Sequence, residues 1–159
     1  MNELIAWLRA NPGKATQGIA GFGGLVHVVG LFLQKETSTR FQSVPYRGGA
    51  PAINDLIAGH VKLGSLGTTP LIPHYKAGAL RLLAQSMAAR SSSLPDVPTF
   101  QEAGIGLVVD QRIGVFVPVG TPPDITNRLN SVINAAVNDE KIRKTFTDQA
   151  QEPAGGTAE

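Results

Sequence analysis

Cysteine is absent from the 159 residues, which removes disulfides, thiolate metal sites and cysteine nucleophiles while leaving the cellular compartment open. Charge is sparse as well: 14 basic against 12 acidic residues give a formal net charge of +2. The basic residues form no dense run that would follow a phosphate backbone, so no nucleic-acid partner is expected. No apolar run is long enough to span a bilayer. The three histidines, His27, His60 and His74, are scattered and lack an HExxH arrangement, so they read as structural or surface groups and no metal site is expected. No glycine-rich loop is followed by Lys-Ser or Lys-Thr. Gly21-Phe22-Gly23-Gly24-Leu25-Val26 begins like a dinucleotide fingerprint but has Val26 where the third glycine belongs. Ser91-Ser92-Ser93 lacks the flanking glycines of a nucleophile elbow, and the acidic residues form no catalytic constellation. A nucleotide-using α/β enzyme is therefore the disfavoured alternative, and no cofactor is expected.

What is present is a chain of 42% hydrophobic residues, enough for one ordinary core. Its patterning alternates strand, turn and helix, the rhythm of an α/β fold with a parallel sheet and crossover helices. Helices are expected near 2–10, 24–35, 51–58, 70–77, 99–104, 122–138 and 139–149, and strands near 15–20, 41–45, 61–66, 80–86 and 112–118. Gly59 and Gly78 stand where helices would end, Thr69-Pro70 and Thr121-Pro122 where they would begin, and Thr99 with Glu102 makes a capping-box pattern. In 122–138 the residues Ile125, Leu129, Val132, Ile133 and Ala136 share one helical face, which needs a surface to cover it.

The most informative stretch is Val44-Pro45-Tyr46-Arg47-Gly48-Gly49-Ala50-Pro51-Ala52. A strand runs through two glycines into a helix whose first turn carries Pro51. Gly48 and Gly49 allow the backbone to approach a ligand, and the amides of the first helical turn carry partial positive charge that suits a carboxylate or phosphate. The same construction also serves as an ordinary strand-to-helix connection. Arg47 reads either as a carboxylate partner or as a solvated side chain, and Tyr46 either as a lid or as a packed ring.

With Asp55-Leu56 and Gly59-His60-Val61, this stretch resembles the VPYKGG-x-P-A…DL…G-x-V signature of the Bug proteins, the extracytoplasmic substrate receptors of tripartite tricarboxylate transporters. Pro73-His74-Tyr75-Lys76-Ala77-Gly78 with Leu80-Arg81-Leu82-Leu83-Ala84 is similar to the family's PH-x-KAG-x-LR-x-LA. Leu94-Pro95-Asp96-Val97-Pro98-Thr99 with Glu102-Ala103-Gly104 is similar to its LPDVPT…EAG, and Pro118-Val119-Gly120-Thr121-Pro122 to its P-x-GTP. Upstream, Asn11-Pro12-Gly13-Lys14 and Gly18-Ile19-Ala20-Gly21-Phe22-Gly23 resemble NPGK…G-x-x-G-x-G. The order of these motifs is kept along nearly the whole chain.

The resemblance implies a periplasmic-binding-protein-like (type II-like) lobe with a parallel-rich sheet and flanking helices. Residues 1–110 would be the second lobe of a two-lobed receptor, and residues 111–159 the crossover and return segment belonging to a first lobe. It implies no covalent chemistry, a small organic carboxylate as ligand, and membrane transporter subunits as partners. The second-lobe ligand contacts would fall on Gly21, Gly23 and Gly24, on Tyr46, Arg47, Gly48, Gly49 and Ala50, and on Gly67 and Thr68. Ile19, Gly24 and the pair Gly67-Thr68 replace residues that are often polar in the family, and Lys62 replaces a common acidic residue, so ligand identity does not carry over. The resemblance implies a periplasmic location. Met1-Asn2-Glu3-Leu4-Ile5-Ala6-Trp7-Leu8-Arg9 has no basic leader or cleavage site and reads as a helix rather than a signal peptide, so the chain as written is expected in the cytoplasm, as a receptor truncated at both ends. The apolar face of 122–138 could then support a homodimer or complete a smaller domain. A folded remnant without ligand binding is the alternative to a receptor fragment.

Overall fold

The computed structural model describes residues 1–158 and divides into two compact units, Met1–Gln111 and the chain from Arg112 onward. In the first unit three short strands pair in parallel: β1 (Thr16–Ile19), β2 (Gln42–Pro45) and β3 (Leu63–Ser65), in the order β2-β1-β3. Gly18 lies opposite Val44 on one side and Gly64 on the other, so β1 is paired along both edges. Helix α1 (Asn2–Ala10) precedes β1, α2 (Leu25–Thr37) joins β1 to β2, and α3 (Gly49–Ile57) joins β2 to β3. After β3 a 3₁₀ turn (Thr69–Leu71) runs into the short α4 (Ile72–Lys76).

Adjacent residues of a strand point to opposite faces, and Gln17 and Gly18 show what covers each face. Gln17 is buried beneath α2, so close to Gly30 that a methyl group there would overlap the Gln17 amide. On the other face a Cβ at Gly18 would stand 3.4 Å from the Tyr46 ring and from Val61, and 3.6 Å from Ala52 of α3. The sheet therefore lies between α2 and α3. Right-handed crossovers require the same arrangement, because the chain steps from β1 to one neighbour and then back across it to the other.

Leu8, Ala15, Leu33, Phe41, Phe100, Ile105 and Leu107 form a buried cluster, with Leu4 and Ile5 packed against it. Helix α1 thus turns Leu4 and Leu8 inward, whereas Trp7 remains substantially exposed. Gly59 and Gly78 follow α3 and α4 with φ of +76° and +71°, the left-handed geometry that ends helices.

Two expected elements of this unit do not form. Over 80–86 the only ladder contact is a single parallel bridge between Gln85 and Thr99, and one bridge makes no strand. The Gln85 side chain holds the loop beside it, donating to the carbonyls of Leu94 at 3.1 Å and Val97 at 2.7 Å and accepting from the Ser91 amide at 2.9 Å. The capping box is present: the Thr99 amide donates to Glu102 Oε2 at 2.7 Å, and the Glu102 amide donates to Thr99 Oγ1 at 3.1 Å. Its turn ends at Gly104, where φ is +79°, so the helix expected over 99–104 is a single turn.

The second unit holds α5 (Pro123–Asn138) and α6 (Glu140–Asp148). Asp139 caps α6 by accepting from the Ile142 amide at 3.1 Å. Asn134 grips Gly156, accepting from its amide and donating to its carbonyl, both at 2.9 Å. The strand expected over 112–118 is irregular chain: it pairs with no strand among the described residues, and Phe116 is 90% exposed. No residue of α5 is buried, and Leu129, on its apolar face, is 41% exposed.

Candidate functional site: the loops at the C-terminal edge of the sheet

Because the three strands are parallel, the loops that leave them open at one edge. The chain leaves β1 for β2 on one side and later returns to β3 on the other, so helices diverge at this edge, the place where open α/β sheets form ligand crevices. The loop after β1 contains Gly21 and Gly23, with φ of +86° and +77°. The loop after β2 contains Gly48, with φ of +102° and ψ of 178°, a conformation open to glycine almost alone. The loop after β3 contains Gly67 and Thr68 and leads into the 3₁₀ turn. A Cβ at Gly49 would stand 3.7 Å from the Pro70 ring, which brings the second and third loops side by side.

These loops present backbone donors. The first amides of a helix have no acceptor within it, and Pro51 has no amide hydrogen, so Gly48, Gly49 and Ala50 supply the amides that open α3. Gly24 caps α2 without a side chain, so its own amide and those of Leu25 and Val26 are not occupied by a cap hydroxyl or carboxylate. Both helix N-termini carry partial positive charge. The arrangement suits an anion held by main-chain hydrogen bonds.

Arg47 is exposed beside these amides. Tyr46 is differently placed. Its amide donates to the Ile19 carbonyl at 2.8 Å, and its hydroxyl donates to Asp55 Oδ2 at 2.7 Å. Both donors are engaged, and the ring packs over Gly18. Tyr46 thus supports the glycine loop from below. Asp55 also meets His60 Nδ1 at 3.1 Å. The Tyr46 hydrogen bond, and then that of His60, hold the Asp55 carboxyl below the usual carboxylate range; the same bond to Asp55 is the main reason the Tyr46 hydroxyl is pushed up.

Beneath the loops, Gln17 Nε2 donates to Ser65 Oγ at 2.6 Å and Gln17 Oε1 accepts from Ser43 Oγ at 3.4 Å, linking all three strands. In the first loop the Gly23 amide donates to His27 Nδ1 at 3.2 Å, and the Phe22 ring meets the His27 ring edge-on at 5.1 Å. In the sequence alone Gln17 did not stand out, Asp55 entered only as part of the family signature without a role, and His27 fell among the structural or surface histidines. The third position of a helix that follows a glycine turn was the signal for His27. Among the described residues no three acidic, histidine or cysteine side chains gather to hold a metal ion, and no helix is long and apolar enough to cross a membrane. A cavity of about 500 Å³ lies elsewhere, between α1, the end of α2 and residues 103–106.

An open parallel sheet with glycine loops at its carboxyl edge places the first unit in the α/β class, whose ligands gather at that edge. A family model described as "Tripartite tricarboxylate transporter family receptor" matches residues 1–159, and the chain belongs to that family. It is 34% identical over 154 residues to the "UPF0065 protein in gbd 5'region" of Cupriavidus necator, covering 96% of this chain and 46% of that protein. A protein of R. palustris solved with adipate superposes with a TM-score of 0.91 at 30% identity, covering 99% of this chain and 53% of that one. MatC of Rhodopseudomonas palustris, solved with bound malate, gives a TM-score of 0.81 at 27% identity, covering 94% of this chain and 51% of that one. The chain therefore spans about half the length of the relatives it matches. The family consists of periplasmic substrate-binding receptors, not enzymes, and the α/β fold with a parallel sheet is theirs.

Proposed function

We propose that this chain forms the second-lobe part of an extracytoplasmic receptor that captures a small carboxylate reversibly for a tripartite tricarboxylate-type transporter. The observation that carries the reading is the convergence of three glycine-bearing loops at one edge of the sheet, in a chain matched along its whole length by the receptor family. The proposed contacts are the amides of Gly21, Gly24, Gly48, Gly49 and Ala50, the Gly67-Thr68 turn and the Arg47 guanidinium, with Gly23 and Tyr46 shaping the loops. Adipate and malate in the two structural neighbours support a carboxylate as the ligand class. Residues 1–110 act as the lobe and 111–159 as the return segment, a reading supported by the division of the chain at Gln111. Periplasmic location and the transporter partner follow from the same reading.

The exposed Phe116 and the uncovered face of α5 support a covering partner for the return segment. We assign that role to the first lobe of the receptor; self-association through the same face is the alternative, distinguished by the mass of the purified chain in solution. A folded remnant that binds nothing is the second reading: were these residues to act without a facing lobe, they would lack contacts worth about 1.5–3 kcal/mol each.

A thermal-unfolding screen against dicarboxylates, tricarboxylates, amino acids, aromatic acids and nucleotides tests the proposal. A ligand present at a hundred times its dissociation constant stabilises by about 2.7 kcal/mol. A shift confined to carboxylates supports the receptor, a shift confined to nucleotides contradicts it, and a cooperative transition moved by no ligand supports the remnant.

A further inference from the structure

His27 is the third residue of α2, one turn from the glycine loop that precedes the helix. Its ring reaches back so that Nδ1 accepts the Gly23 amide hydrogen at 3.2 Å, while Phe22 closes edge-on against the imidazole at 5.1 Å and an interplanar angle of 75°. Phe22, Gly23 and His27 therefore form a clasp across the turn. Its chemistry differs from an ordinary cap. A serine or aspartate at Gly24 would accept from amides inside the helix, whereas His27 accepts from an amide outside it and leaves the first helical amides to face a ligand.

We propose that His27 is a positioning residue of the carboxylate site, holding the Gly21–Gly24 turn through the Gly23 amide so that the neighbouring amides are set to meet an anion. The inference rests on reading these loops as the ligand site.

The test uses the whole chain, labelled with ¹⁵N, as wild type, as His27→Ala, which removes the acceptor, and as His27→Asn, which keeps an acceptor at the position of Nδ1. The Gly23 amide resonance should move in His27→Ala and return towards its wild-type position in His27→Asn. Adipate should bind roughly three- to fivefold more weakly to His27→Ala, the range of one lost hydrogen bond, with binding restored in His27→Asn. A Gly23 resonance indifferent to His27→Ala overturns the clasp. Adipate affinity unchanged in His27→Ala overturns the positioning role. Adipate binding to none of the three proteins defeats that role together with the reading of these loops as a carboxylate site, whereas the ligand-free spectra still decide the clasp.

Discussion

The Tyr46 hydroxyl donates to Asp55 at 2.7 Å, so the residue that opens the second glycine loop is tied to the body of the helix which that loop begins. A loop built from Gly48 and Gly49 has little stiffness of its own. The Tyr46 ring, packed over Gly18 and fastened at its far end, supplies a fixed base for it.

This pair makes stability depend on pH in a defined direction. A carboxyl whose folded value is depressed contributes stability above its unfolded value and loses it as pH falls through the folded one. Asp55 is depressed first by Tyr46 and then by His60, and Glu102 first by Arg90 and then by the Thr99 amide. The chain should therefore lose stability below the ordinary carboxylate range. Tyr46→Phe should lower the unfolding free energy at neutral pH and flatten this acid limb, measured by denaturant unfolding at a series of pH values. On the alkaline side the raised Tyr46 hydroxyl gives the opposite sign: its contribution is complete below the ordinary tyrosine value and is lost as pH rises through the folded one. That loss should be absent from Tyr46→Phe.

Gly30→Ala should destabilise the fold by about 1–3 kcal/mol, because the new methyl group would occupy space held by the buried Gln17 amide. The displaced amide is the one that joins Ser43 and Ser65 across the sheet. Denaturant unfolding of Gly30→Ala measures the effect, and Gly24→Ala, where a Cβ meets nothing within 4 Å, is the comparison.

Gly48→Ala should cost on the order of 1–3 kcal/mol through backbone strain alone, since φ is +102° and no side chain crowds the position. If the loop is the anion site, the same change should weaken carboxylate binding by more than Gly13→Ala, whose strained turn precedes β1 at the opposite edge of the sheet. Calorimetric titration of the two variants compares them.

Leu129→Ser should destabilise this chain by no more than about 1–2 kcal/mol, because a side chain that is 41% exposed buries only part of its apolar surface. A self-associating chain would behave differently, with Leu129→Ser shifting it towards monomer in sedimentation.

The elements legible in the sequence were those whose signals are local. Pro51 at a first turn, Gly59 and Gly78 at helix ends and the periodicity of Leu4 with Leu8 each act within a few residues, and α1 to α4 and the three paired strands formed where expected. The strands expected over 80–86 and 112–118 failed for a non-local reason. An alternating or apolar segment becomes a strand only beside a partner, and here Gln85 meets Thr99 alone while Phe116 meets solvent. The capping box of Thr99 and Glu102 formed, yet Gly104 stopped its helix after one turn. At the candidate site the glycines were visible as turn formers. The supports were not, because Gln17 to Ser65, Tyr46 to Asp55 and Gly23 to His27 are pairings that depend on side-chain direction in the folded chain.

The central claim is that backbone amides at the carboxyl edge of the sheet capture a carboxylate, and a ¹⁵N chemical-shift titration with adipate tests it most directly. The account predicts saturable shifts concentrated on Gly21, Gly24, Gly48, Gly49, Ala50, Gly67 and Thr68. Shifts centred instead on the cavity lined by Ile5, Arg9, Glu36 and Ile105, or no shifts in a folded chain, would contradict it.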